Sequence, residues 1–69
     1  MRVKVNGEDR TVEADATVAD LLVQLGLAER SNSGLAVAVD RRVVPRSEYA
    51  TKALDEGAQV EILRAVGGG

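Results

Sequence analysis

The sequence predicts an α+β roll, a mixed sheet with one main helix packed across it. Three observations carry that prediction. Polar and apolar residues alternate on both sides of an Asn6-Gly7 pair, which reads as a hairpin. From Thr17 the apolar spacing lengthens to the period of a helix. Short apolar, partly β-branched runs then return towards the end of the chain. A helix of about two turns cannot bury its apolar stripe alone, so it must lie across the sheet made by the strands.

Taken in order, Arg2-Val3-Lys4-Val5 is the first strand and Arg10-Thr11-Val12-Glu13 the second, with Asn6-Gly7 turning between them. Val18, Leu21, Leu22 and Leu25 fall at helical spacing and share one face, which predicts a helix from about 18 to 25. Thr17 is its N-cap, Asp20 completes a capping-box pair, and Gly26 stops it. Residues 28–34 (AERSNSG) are small and polar and read as a surface loop. Leu35 to Val39 reads as a buried strand, and Val43-Val44 as a brief one that Pro45 terminates. Ser47 is expected to cap a single helical turn through Tyr49. Asp55-Glu56-Gly57 reads as a turn, after which Ala58 to Arg64 alternates so that Ala58, Val60 and Ile62 face one side. The expected core is Val3, Val5, Val12, Leu21, Leu22, Leu25, Val37, Val39, Leu54, Val60 and Ile62, with Tyr49 as a packing lid.

Composition narrows what such a domain can do. Its 69 residues suffice for one compact domain with a modest core, which should work through a partner. Hydrophobic residues at 45% and charged residues at 29% are a globular balance, so the chain should fold by itself. A net charge of -2 with scattered Lys and Arg argues against nucleic acid as partner. No apolar run approaches the roughly 20 residues that span a bilayer, so the expectation is a cytoplasmic protein without a membrane partner. There is no Cys and no His. Thiol nucleophiles, imidazole bases, disulfides and the usual zinc ligands are excluded by inventory, and no metal site is expected. Glu8-Asp9, Asp15 and Asp55-Glu56 lie in expected turns and loops, where carboxylates are usually solvated, so an autonomous enzyme has little support.

The remaining chemistry lies in Ala65-Val66-Gly67-Gly68-Gly69, directly after the last strand. Residues 1–66 are expected to form the domain and 67–69 a flexible glycine tail. Glycines in such a place are often only frayed. Glycine also lacks a Cβ, so a glycine tail can thread a channel too narrow for side chains and present a terminal carboxylate to another protein. That carboxylate is ionised at neutral pH, as an unperturbed α-carboxyl is, and can attack the α-phosphate of ATP.

The opening VKVNGE hairpin, the TVADLLVQLGL helix, the LAVAVDRRVVPRSEY segment, the LDEGAQVEIL turn and strand, and the glycine tail together resemble the ThiS family. These are sulfur carriers of thiazole formation in thiamin biosynthesis, with the ubiquitin-like β-grasp fold. The resemblance covers essentially the whole chain, and VVPRSEY and the glycines are its most specific parts. It differs in the third glycine, since the family usually shows a pair. It implies that Gly69 carries the reacting carboxylate, that Gly68 threads the channel, and that Gly67 adds reach. It further implies a carrier that is a co-substrate rather than an enzyme and binds no cofactor itself. ATP would be used by a ThiF-type, E1-like adenylating enzyme. A cysteine desulfurase or another sulfur donor would convert the adenylate to a thiocarboxylate, and thiazole synthase would take the sulfur.

Alternation along the last strand adds a surface. If Val60 and Ile62 face the helix, Leu63 points to the other side of the sheet, as do Ala36 and Ala38 on the strand 35–39. Leu63 with Ala36 and Ala38 is the expected docking face for the adenylating enzyme. The small subunit of molybdopterin synthase and the ubiquitin-related protein modifiers are rival readings of the same fold and tail. A plain binding module with an inert tail is a third.

Overall fold

The computed structural model describes residues 1–27 and 34–64. Its elements run β1 (Arg2–Val5), β2 (Glu8–Thr11), α1 (Val18–Gln24), β3 (Leu35–Val39), β4 (Arg42–Val44), a 3-10 turn (Arg46–Glu48) and β5 (Gln59–Arg64). The strands make a five-stranded sheet in the order β2-β1-β5-β3-β4. β1 and β5 pair in parallel, and every other neighbouring pair is antiparallel. The mixed sheet with one main helix is as expected, and the strand that arrives last in sequence takes the middle place. The expected loop 28–34, save Gly34, and the tail 67–69 lie outside the described residues.

The β1–β2 hairpin follows from its turn. Asn6 at φ 50° and Gly7 at φ 87° are both left-handed, the geometry of a two-residue hairpin turn whose twist matches the strands. Such a turn forces Val5 to pair with Glu8, and the register runs back to Arg2 opposite Thr11. The second strand is therefore Glu8–Thr11 and not 10–13, because turn chemistry outranks local alternation. Glu8 and Asp9 consequently sit on an exposed strand rather than in a turn. Val12 is buried just beyond the strand, where its N–H donates to the Met1 carbonyl at 2.8 Å.

The helix is fixed at both ends as its sequence requires. The Asp20 N–H donates to Thr17 Oγ1 at 3.2 Å, while the Thr17 N–H donates to Asp20 Oδ2 at 3.0 Å, closing the capping box. The other leading amides find long-range partners, Val18 N–H on the Lys52 carbonyl at 3.0 Å and Ala19 N–H on the Tyr49 carbonyl at 2.8 Å. At the far end Gly26 is left-handed, and Gly26 and Leu27 donate back to the carbonyls of Val23 and Leu22. The helix stops at Gln24, with Leu25 as its C-cap. The reversal at Gly26 leaves Leu25 half-buried, so it flanks the core it was expected to join.

Ser47 does not cap the 3-10 turn. That turn begins at Arg46 behind Pro45, whose fixed, extended backbone takes the capping position without a side-chain hydrogen bond. The segment after it brings Tyr49 and Leu54 into the core and bridges Thr17 to Ala53. Every other expected core residue is buried. Ala16, Val18, Val44, Tyr49 and Ala58 complete the cluster. One continuous core thus lies between α1 and the inner face of the sheet, with Val3, Val18, Leu21, Val37 and Val60 at its centre.

Candidate functional site

With α1 on the inner face, the outer face of the sheet has no covering element among the described residues. Its composition follows from strand alternation. On β5, Val60 and Ile62 are buried inward while Gln59, Glu61 and Leu63 are exposed. On β3, Val37 and Val39 are inward and Ala36 and Ala38 outward, with Ala36 exposed and Ala38 half-buried. Register then brings these outward residues together. Ala36 stands opposite Leu63, Ala38 opposite Glu61 on one side and opposite Val43 of β4 on the other.

Leu63 is 72% exposed and Val43 is 77% exposed, on the two strands that flank β3. The two flank the alanines, whose short side chains leave the surface hollow between them, and the resulting concavity of about 440 Å³ carries Lys4 and Glu61 at its rim. Leu63, Ala36 and Ala38 are therefore brought together as expected. Val43 belongs with them and was missed, although its signal was present. In a strand where Val44 turns inward, Val43 must turn outward.

The polar groups around this face are exposed. Lys4 Nζ lies 3.5 Å from Asp9 Oδ1 across the β1–β2 pair, with both side chains more than half exposed. Among the described residues no cluster of carboxylates is arranged to hold a metal ion, and no helix is long and apolar enough to cross a membrane. A shallow apolar hollow with charged edges can recognise another protein.

The expected reacting group, Gly69, and its neighbours Gly68 and Gly67 lie outside the described residues. What the structure does fix is the strand that leads to them. β5 ends at Arg64, in the middle of the sheet, with Leu63 on the outer hollow one residue before that end.

Comparison with known proteins places this arrangement in context. The model of the ThiS family matches residues 3–69. A thiazole synthase of Paramagnetospirillum magneticum is 41% identical over 71 residues, an alignment that takes in all of this chain and 20% of that protein's length. The sulfur carrier protein ThiS of Escherichia coli is 29% identical over 69 residues, covering both chains in full. Among solved structures, the crystal structure of the thiamine biosynthesis protein ThiS from Geobacter metallireducens superposes with a TM-score of 0.80 at 30% identity, again over both chains entirely.

Proposed function

Because this chain belongs to the ThiS family, whose β-grasp fold it shares, we propose that it is a sulfur carrier of thiamin biosynthesis, working as a co-substrate and not as an enzyme. The observation that carries the reading is the extent of the family match, which runs through the glycines to Gly69 instead of stopping at the folded domain. In this reading the Gly69 carboxylate attacks the α-phosphate of ATP on an E1-like adenylating enzyme and releases pyrophosphate. A sulfur donor then displaces AMP and leaves a thiocarboxylate, whose sulfur passes to thiazole synthase. Gly68 and Gly67 supply a chain without side chains that a narrow channel admits. The carrier binds no cofactor, and the ATP belongs to the activating partner.

The outer hollow supplies the docking surface. Leu63, Ala36 and Ala38, joined by Val43, present apolar area near the start of the glycine segment, where an activating enzyme must grip the domain to draw the segment in. The family match also favours thiazole formation over the pterin and protein-modifier readings. Intact-mass spectrometry of protein from thiamin-starved cells tests the proposal. The expected result is a species heavier by the difference between sulfur and oxygen. An unchanged mass after incubation with ATP, adenylating enzyme and sulfur donor would refute it.

A further inference from the structure

Two turn side chains act on β5 in the same way, and the first of them, Asn6, also lines the hollow. Asn6 and Asp40 are the leading residues of the turns that join β1 to β2 and β3 to β4, and both are left-handed at φ 50°. Because β5 lies between β1 and β3, the two turns flank it from opposite sides. Asn6 N–H donates to the Val60 carbonyl at 2.9 Å and Asp40 N–H to the Gln59 carbonyl at 2.8 Å, continuing each ladder by one step. In a regular ladder the next bond on each side would end on the backbone carbonyl of residue 6 or residue 40. Here the side chain takes it. Ile62 N–H donates to Asn6 Oδ1 at 2.9 Å, and Gln59 N–H donates to Asp40 Oδ1 at 3.0 Å.

Asn6 does more than Asp40. Its Nδ2 also donates to the Ile62 carbonyl at 3.1 Å, so one carboxamide satisfies both backbone groups of Ile62 as a further strand residue would. A carboxylate has no proton for that second bond. The position matters because β1 ends at Val5 and pairs with β5 only as far as Val60. Beyond that point β3 holds the other edge of β5, with Val37, Ala36 and Leu35 opposite Ile62, Leu63 and Arg64. Asn6 is thus the partner of β5 on its β1 edge at Ile62, two residues before the last residue of that strand, Arg64.

We propose that Asn6 is a positioning residue, a side-chain clamp on Ile62 that fixes the point and direction from which the glycine segment departs. The proposal rests on the reading that Gly69 is presented to an adenylating enzyme. A segment of fixed length delivers its end to one place only if its origin is fixed. A misplacement of about 1 Å at a reacting centre can cost on the order of a hundredfold in rate. The clamp therefore acts on turnover at saturating carrier, apart from any contact that Asn6 makes as a lining residue of the hollow.

The test compares Asn6→Gly with Asp40→Gly. Glycine keeps either turn, because it populates positive φ freely, and removes only the clamp. For Asn6→Gly, hydrogen exchange in the free protein should show the Ile62 amide losing protection while Val60 keeps it. Pyrophosphate exchange at saturating carrier, where any loss of docking affinity is overcome, should fall on the order of tenfold. Asp40→Gly frees the far end of β5 and should leave turnover near that of the unaltered protein. Asn6→Asp, which keeps the acceptor and loses the donor, should lie between. Unchanged protection at Ile62, unchanged turnover in Asn6→Gly, or an equal fall in Asp40→Gly would each overturn the clamp. Failure of the unaltered protein to be adenylated strikes instead at the carrier reading, and takes the presentation role with it.

Discussion

The two faces of the sheet are made from the same strands and differ by one residue of phase, yet they are built for opposite ends. The inner face is closed by valines, isoleucine and the stripe of α1, and no charged or polar residue is buried there among the described residues. The outer face interleaves alanines, Leu63 and Val43 with Lys4 and Glu61, and its two large apolar side chains are exposed. Stability therefore resides on the inner face, and the recognition proposed above is assigned to the outer one. Substitutions should separate the two properties cleanly.

The largest effect belongs to the inner face. Leu22 is 2% exposed in the middle of the buried stripe. Leu22→Ala should cost about 2 to 5 kcal/mol, a large share of the roughly 5 to 15 kcal/mol that holds a whole domain. For a domain of this size that corresponds to a fall in Tm of at least about 8 °C by calorimetry. A change of only a degree or two would show that the helix contributes little to the core.

The glycine segment should show the reverse pattern, with function lost and stability kept. Gly68→Val preserves length and the terminal glycine but adds a β-branched side chain where a narrow channel admits none. Its Tm should equal that of the parent, since the buried cluster among the described residues is closed without it. Its pyrophosphate exchange should fall on the order of a hundredfold. Deleting Gly69 shortens an extended segment by roughly 3.3 to 3.6 Å and should impair the same step, with part of the loss recovered because Gly68 then offers an equivalent carboxylate. Normal exchange by both variants would show that no channel is threaded.

How much of this was legible depended on the range of the interaction. Thr17 and Asp20, Asn6 and Gly7, and the alternation in β3 and β5 are local signals, and each appears where the sequence places it. Errors arose where a distant or competing constraint prevailed. The strand after Asn6-Gly7 began two residues earlier than its alternation suggested, because the turn dictates pairing. The helix N–H groups that bond to Tyr49 and Lys52, and the carboxamide of Asn6 on Ile62, join residues far apart in sequence, so no window of neighbouring residues announces them. That Leu63, Ala36 and Ala38 share the outer face could be read because period-two alternation fixes a face. Val43 was overlooked because its strand is only three residues long.

A smaller effect, confined to binding, is expected at the outer hollow. Leu63→Asp places a charge in the apolar hollow while its inward neighbours keep the core. Affinity for the adenylating enzyme should weaken on the order of tenfold, about 1.4 kcal/mol. The fold should lose no more than the ~1 kcal/mol by which strand propensities differ. Val43→Asp should do the same from the other side of the alanines. Unchanged affinity in titration calorimetry would remove this face from the interface.

The smallest effect sharpens the comparison at its boundary, where a charged residue shares the outer face with the apolar hollow. Lys4 is paired in register with Asp9 and its ammonium lies 3.5 Å from that carboxylate, which in a buried site would be a strong interaction. Here the side chains are 55% and 58% exposed, so water and salt screen the pair. Exposed pairs of this kind typically contribute about 0.2 to 1 kcal/mol, and the Lys4 stem leaves Val3 and Val5 inward and untouched. Lys4→Ala should therefore lower Tm by only a few degrees, with the difference shrinking further in high salt. Its effect on partner binding should be of another kind. A charge at the rim of an interface steers the encounter more than it holds the complex, so the variant should change the association rate and its salt dependence while leaving dissociation near the parent value. Stopped-flow binding at two ionic strengths distinguishes these. A dissociation rate raised as far as in Leu63→Asp would mean that Lys4 is buried with the hollow in the complex, and the boundary between rim and hollow would then run outside β1.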